Sequence, residues 1–236
     1  PWKNMRRIKF ENDIFYHIYN RGLDKQNLFI DENDYLRFLC GIYYFNDVDF
    51  VPDNIVSKER LQGQTLEKSP NRKELIDLMC WCLMQNHYHL ILRQKIANGI
   101  TKFMRRIGTG YTMYINAKYE HSGHIFQGPF KAKPVNNNEY LQHLTRYIHL
   151  NPLDIHDSNW KEDGAKNAES SKKFVLKYKW SSLHNYLNTN TGNLILLTSP
   201  TYKEFLFTNE PSVYKDFLWD WLEKGIPSDT FNFSKV

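Results

Sequence analysis

The sequence has few cysteines and no apolar run approaching the length of a membrane-spanning helix. Three cysteines in 236 residues form no complete disulfide framework, so we expect a reducing, cytoplasmic compartment. The first seven residues include no apolar signal region, and we expect no membrane partner. No internal repeat and no low-complexity tract is present.

Aromatic and basic residues are what the sequence has in quantity. Hydrophobic residues make up 41% of the chain, which contains 15 Tyr, 15 Phe and 6 Trp, enough to build a sizeable core. The net charge of +5 is compatible with a polyanionic partner, as it is in many soluble proteins. Exposed rings can stack on unpaired bases, although most of these rings belong in a core.

Two histidines stand at alternate positions before an apolar run. In an extended chain His87 and His89 point to the same side and Tyr88 to the other. Such a pair suits a metal ion or an anionic substrate, but by itself it is equally typical of ordinary polar residues on a strand. Its meaning therefore depends on partners elsewhere in the chain.

Hydrophobic periodicity predicts an α+β domain followed by a helical appendage. Helix caps are indicated at Asp31 and near Asn136, and a stop at Asn151-Pro152. The predicted strands cover residues 14–20, 75–84, 87–92 and a short segment ending at 135; the predicted helices begin near 31, 98 and 140. Residues 46–72 form a polar excursion, 156–173 a polar linker, and 180–187 and 214–222 short amphipathic helices.

One helix carries a second group of reactive side chains. Tyr147 and Asn151 are four residues apart and share a face, with His143 one turn earlier and Arg146 adjacent. The simplest interpretation is a core tyrosine with Asn151 as the helix cap. The alternative is a nucleophile beside a metal ligand, because a tyrosine attacking a phosphodiester needs a cation for the phosphate oxygens. His87 and His89 would supply two ligands for that cation.

Several motifs, taken together and in their order along the chain, are similar to those of a known family. The chain resembles the single-tyrosine HUH transposases (His-hydrophobe-His) and, among these IS200-like proteins, the REP-associated tyrosine transposases. The resemblance covers most of residues 14–187 and rests on Tyr16-His17-Ile18-Tyr19-Asn20-Arg21-Gly22, Cys82-Leu83-Met84-Gln85-Asn86-His87-Tyr88-His89, Phe126-Gln127-Gly128-Pro129-Phe130-Lys131 and Arg146-Tyr147-Ile148-His149-Leu150-Asn151-Pro152.

This resemblance implies a ferredoxin-like or RRM-like antiparallel sheet at residues 1–155, with the linker and appendage at 156–236. It implies Tyr147 as nucleophile, His87, His89 and Asn151 as ligands of Mg²⁺ or Mn²⁺, and cleavage of single-stranded or hairpin DNA through a 5′-phosphotyrosine. A nucleoid-associated protein, monomeric or homodimeric, is expected. The candidate DNA-binding cations are Arg21, Lys102, Arg105, Arg106, Lys131, Lys133 and Arg146.

Three alternatives remain at this level. Cys80 and Cys82 could join His89 in a zinc site, although small hydrophobes in a core strand explain both cysteines more simply. A DNA- or RNA-binding protein could use this fold without cleavage, which would leave the joint presence of Tyr147, Asn151 and both histidines unexplained. Tyr147 could also act within its own chain or on the metal of a partner.

Overall fold

The computed structural model describes residues 8–50, 72–189, 197–200, 208 and 210–227. The polar excursion predicted at residues 46–72 falls almost entirely on 51–71, outside the described residues. Within the described part of the chain, no helix combines the length and apolarity needed to cross a membrane.

The first strand and helix form where the sequence predicts them. Strand β1 is Phe15–Arg21 and helix α1 is Glu32–Phe45. The Asp31 carboxylate accepts a hydrogen bond from the Asp34 amide at 3.2 Å, and the Asp34 carboxylate accepts one from the Asp31 amide at 3.0 Å. This reciprocal pair satisfies amide groups at the start of α1 that have no partner within the helix.

An antiparallel hairpin follows, as predicted. Strand β2 (Ile76–Met84) and strand β3 (His87–Gln94) are joined by the two-residue turn Gln85-Asn86. The register shifts between Leu78 and Cys80, which is a β-bulge. Beyond the bulge, alternate residues of β2 lie directly across from the two histidines, on the same face of the sheet.

The remaining core elements are helix α2 (Gly99–Lys118), strand β4 (Lys131–Val135) and helix α3 (Asn138–Leu150). Helix α2 approaches α1 closely at Gly110, where a Cβ would lie only 2.6 Å from the Phe45 ring. Around Gly108 the space is open. Glycine at position 110 therefore lets α2 pack tightly beside the end of α1.

The described strands form a four-stranded antiparallel sheet in the order β2-β3-β1-β4. With α1 between β1 and β2, and α2 between β3 and β4, the connectivity is β-α-β-β-α-β. This is the ferredoxin-like arrangement, so the predicted α+β fold class is confirmed.

The two faces of the sheet bury separate cores. Tyr88, Leu90 and Leu92 of β3 pack in one cluster with apolar residues of α1 and α2. Ile91, from the alternate set of β3 residues, packs in the other cluster with Tyr147 and Leu144 of α3. Helix α3 therefore lies over the sheet face to which His87 and His89 point.

The C-terminal helices that the structure describes also pack on this second face. They are α4 (Leu153–His156), α5 (Trp160–Asp163), α6 (Ala168–Lys177), α7 (Leu183–Tyr186) and α8 (Pro211–Lys224). The prediction of a polar linker at residues 156–173 is therefore wrong for α5 and for the start of α6. Most residues of this segment are polar, which is why the sequence indicates a linker. Trp160, however, is fully buried and packs the segment against the core.

The outer edge of β2 is covered by the segment between α6 and α7. The Leu83 amide donates to the Trp180 carbonyl and the Ser182 amide to the Trp81 carbonyl, both at 2.9 Å. Pairing these backbone groups removes part of an open strand edge, which would otherwise be free to pair with another chain.

Candidate functional site

The His87 and His89 rings lie next to each other on the face of the sheet covered by α3. Their centroids are 5.2 Å apart and the ring planes are perpendicular. His89 is completely buried and His87 is 8% exposed. Alternation along β3 explains the shared direction, and the strand neighbours on both sides keep the rings out of water.

Helix α3 brings Tyr147 and Asn151 to this pair. The centroid of the Tyr147 ring is 5.7 Å from that of His89, and Asn151 Oδ1 is 3.2 Å from His87 Nε2. Asn151 is also the C-terminal cap residue of α3, so the capping interpretation and the site interpretation are compatible. All four predicted residues therefore lie close together within one chain.

The environment keeps the imidazoles neutral and the phenol protonated. Burial lowers the pKa of His87 to about 4, only partly offset by its hydrogen bond to Asn151, and it lowers that of His89 well below the usual value. Burial, followed by the Asp154 carboxylate, raises the pKa of the Tyr147 phenol. Neutral imidazole is the form that binds a metal ion.

A third histidine, His17 on β1, completes this layer although the motif analysis gave it no role. Its Nε2 is 2.8 Å from His89 Nδ1, and the two rings are nearly parallel with centroids 5.1 Å apart. Burial, followed by the charge of Lys133, lowers the pKa of His17 to about 3. With both rings neutral, a single proton bridges the two nitrogens, so the tautomer of one histidine determines that of the other.

Several buried polar atoms at this place have no hydrogen-bond partner. They are His89 Nε2, His17 Nδ1 and Asn151 Nδ2, in a protein interior where such groups are normally paired. If His89 donates its Nδ1 proton to His17, its Nε2 presents an unshared electron pair. A cation at Nε2 would favour this tautomer and satisfy that nitrogen, so the donor set fits a metal ion.

The zinc alternative finds no support in the geometry. Cys82 does lie directly across from His89, as the two-residue turn predicts. The Cys80 thiol, however, contacts His149 Nε2 at 3.3 Å and the Ser182 hydroxyl at 3.5 Å. Burial raises the pKa of Cys80 to about 12, and among the described residues no three histidine, cysteine or carboxylate side chains are arranged so that they could hold a metal ion.

Three of the seven candidate DNA-binding cations belong to the same sheet face as the histidines. Arg21 of β1 lies directly across from His87 of β3. Tyr19 of β1 lies between His89 of β3 and Lys131 of β4. Lys133 lies across from His17 in the same way. These cations therefore extend the layer of the histidines towards the β4 edge.

The candidates on α2 lie in the other layer. Lys102 donates to the Val48 carbonyl at 3.3 Å, and Arg106 donates to the Phe45 and Asp47 carbonyls at 3.0 and 2.5 Å. Both side chains thus bind backbone carbonyls at the end of α1 or just beyond it. Arg105 is exposed on α2, so its predicted contact with DNA stays a prediction.

Arg146 is not a surface cation, which contradicts the prediction that it contacts DNA. It is 3% exposed and lies between the rings of Phe217 and Trp221, at 3.8 and 4.4 Å from their centroids. Its guanidinium donates to the Phe217 carbonyl and faces Asp220 at 3.4 Å. His143 likewise stacks on Trp221. Both side chains attach α3 to α8.

Two residues beyond the predicted set border the nucleophile. Lys161 Nζ lies 5.3 Å from the centroid of the Tyr147 ring, and it forms a 2.6 Å ion pair with Asp154. Both come from the segment that the sequence alone indicated as a linker or its boundary, and neither belongs to a recognisable motif.

Comparison with known families adds an independent finding. Residues 57–151 match the family model described as "Transposase IS200 like". Over these residues, which we call the IS200-like segment, the sequence is similar to that family. The match bears out the IS200-like resemblance inferred from the motifs, and the segment contains His87, His89 and Tyr147 and ends at Asn151.

Other comparisons are more distant. No curated protein matches the sequence. A solved structure described as the REP-associated tyrosine transposase bound to a REP hairpin aligns with 79% of this chain and 86% of its own, at 15% identity and a TM-score of 0.49. His17, Asp154 and Lys161 lie outside the IS200-like segment.

Proposed function

We propose that this protein is a metal-dependent, single-stranded DNA endonuclease and strand transferase that acts through a 5′-phosphotyrosine. The observation that carries the proposal is the convergence of Tyr147, Asn151, His87 and His89 at one point between α3 and the sheet. A fold alone would not require these four side chains to meet. The IS200-like match over residues 57–151 supports the same reaction class.

The metal site in this proposal is formed by His87, His89 and Asn151. The fit rests on the unpaired, buried Nε2 of His89 and on His87 Nε2 facing an amide oxygen at 3.2 Å. His87 Nδ1 lies 2.7 Å from Asn86 Oδ1, which would hold its proton and leave Nε2 as the donor atom. When bound, Mg²⁺ or Mn²⁺ would supply Lewis-acid stabilisation of the phosphate oxygens.

Tyr147 is the nucleophile in this proposal. Its phenolic oxygen forms a bond to phosphorus while the bond from phosphorus to the 3′ oxygen breaks. The phenol gives up one proton and the departing 3′ oxygen gains one, so the exchange is balanced. Strand transfer is the reverse attack by a free 3′ hydroxyl, which restores the phenol.

The DNA backbone is expected to run along the β4 edge of this sheet face. Arg21, Lys131 and Lys133 lie on that face beside the histidines, and such cations bind phosphates without reading sequence. Replacing both Lys131 and Lys133 by Gln should reduce the salt dependence of single-stranded DNA binding by about 1.4 in log–log slope, at about 0.7 for each phosphate contact. Lys102→Gln, in the other layer, is the control.

The deciding experiment is adduct formation on single-stranded hairpin DNA with Mn²⁺. The wild-type protein should yield a covalent protein–DNA species that Tyr147→Phe abolishes, whereas Tyr140→Phe on the same helix should retain it. His89→Gln should abolish the adduct and leave most DNA binding intact, because the phosphate contacts are made by other residues.

A non-cleaving DNA- or RNA-binding protein is the second candidate function. The observation that favours it is the state of Tyr147, which is 4% exposed and has a raised pKa caused by burial. In that case the wild-type protein would bind the same DNA equally well with and without Mn²⁺ and would form no adduct.

A further inference from the structure

A lysine from the C-terminal segment reaches the proposed nucleophile. Lys161, in helix α5, places its ammonium 5.3 Å from the centroid of the Tyr147 ring. Lys161 therefore borders the site, although it lies ten residues beyond the end of the IS200-like match.

The backbone of this lysine is held in place. Trp160, its neighbour, is fully buried and donates from Nε1 to Asp154 Oδ1 at 2.8 Å. The Lys161 carbonyl accepts a 2.7 Å hydrogen bond from the Ile226 amide. The side chain itself is 24% exposed, so its ammonium remains accessible to a ligand from solvent.

In the structure the Lys161 ammonium is paired with the Asp154 carboxylate, which a phosphate oxygen could replace. Asp154 Oδ2 lies 2.6 Å from Lys161 Nζ, and the Asp154 side chain is 33% exposed. An ion pair of this exposure contributes little to stability. A phosphate oxygen can therefore replace the carboxylate at low cost, because it offers a charge-assisted hydrogen bond of the same kind.

We propose that Lys161 is a catalytic residue, whose ammonium binds a non-bridging oxygen of the phosphate that becomes attached to Tyr147. This assignment rests on the proposed function. During the exchange, the phenolic oxygen of Tyr147 loses its proton and bonds to phosphorus, while the bond from phosphorus to the 3′ oxygen breaks and that oxygen takes up a proton. The non-bridging oxygens keep their negative charge. Arg21, Lys131 and Lys133 belong to strands, whereas Lys161 approaches from the segment that follows the nucleophile helix.

The test compares single-turnover adduct formation by Lys161→Gln and by Lys172→Gln, at saturating hairpin DNA and Mn²⁺. Lys172 is a matched control, since its side chain is 22% exposed and forms a 2.9 Å ion pair with Glu223 in the same region. Lys161→Gln should react about 100-fold more slowly, the effect of losing one oxyanion donor. Lys161→Arg should recover part of the rate, and Lys172→Gln should match the wild type.

The variant Asp154→Asn distinguishes two roles of Lys161, which are binding phosphate and forming a structural ion pair with Asp154. It keeps the acceptor for Trp160 and removes the competing charge, so its rate should equal or exceed that of the wild type. The assignment is overturned if Lys161→Gln reacts as fast as Lys172→Gln, or if Asp154→Asn is as slow as Lys161→Gln. A wild-type protein that forms no adduct would instead overturn the proposed function, and this assignment with it.

Discussion

Arg146 should stabilise the packing of α8 on α3 rather than bind DNA. Its guanidinium lies buried between the rings of Phe217 and Trp221, although the sequence predicts a contact with phosphate. Burial lowers the pKa of Arg146 to about 10, despite the nearby Asp220 carboxylate. The guanidinium therefore remains charged at neutral pH, and its loss should weaken the attachment of α8 to α3.

The expected size follows from the contacts. A hydrogen bond from a charged donor, such as the one to the Phe217 carbonyl, contributes about 1.5–3 kcal/mol. Stacking between two rings adds about 1–2 kcal/mol. Since lysine keeps the charge and part of the packing, Arg146→Lys should lower the free energy of unfolding by about 2 kcal/mol. In a chain of this length, that lowers Tm by about 4–8 °C.

Urea unfolding followed by circular dichroism measures this change, with Arg105→Lys on the exposed side of α2 as the control. Binding of single-stranded DNA over a salt series supplies the opposing test on Arg146→Met. A phosphate contact predicts a slope reduced by about 0.7, whereas the structure predicts an unchanged slope. Unchanged stability of Arg146→Lys together with a reduced slope for Arg146→Met would refute the structural assignment.

Two further predictions concern buried histidines. His17→Ala removes the partner of His89 Nδ1 and should weaken Mn²⁺ binding about 10–100-fold, as measured by calorimetric titration. The control Tyr19→Phe should bind Mn²⁺ as the wild type does. Equal Mn²⁺ affinities of His17→Ala and the wild type would contradict a role for this hydrogen bond in metal binding. Burial lowers the pKa of His149 to about 3 in the folded protein, so only the unfolded chain takes up its proton as the pH falls below about 6.5. Between pH 7 and 5 this residue should therefore cost about 2 kcal/mol of stability, and urea midpoints of His149→Gln should be less pH-sensitive; identical pH dependence in both proteins would count against it.

Local signals account for most of the fold that could be predicted. Asp31 and Asn137 cap α1 and α3, and each of these caps is visible in the sequence because a short polar side chain precedes a periodic apolar run. The two-residue turn at Gln85-Asn86 follows from the apolar runs on either side. The C-terminal segment escaped because a few large anchors, such as Trp160, fix it against a core that composition does not reveal.

Local signals predict some of the site residues, whereas others come to the site only through tertiary contacts. His87 and His89 share a face by strand alternation, and Tyr147 and Asn151 share one by helical spacing. His17 and Lys161 meet the site only through tertiary contacts, across β1 and from α5. Strand alternation predicts that His17 and Tyr19 share one face of β1. It does not predict that β1 lies beside β3, which depends on the order of strands in the sheet.

The chemistry proposed for Tyr147 also explains why so much of the C-terminal segment packs on α3. An attacking oxygen must stay aligned with phosphorus, and small displacements are costly in rate. The α3 helix is held on one side by the sheet and on another by α8, through Arg146 and through the hydrogen bond of 2.8 Å between His149 and Tyr214. Loosening α8 should therefore reduce adduct formation even though it removes no group that touches DNA, and Arg146→Lys should be slower as well as less stable. A stability loss without any change in rate would show that the sheet alone positions Tyr147.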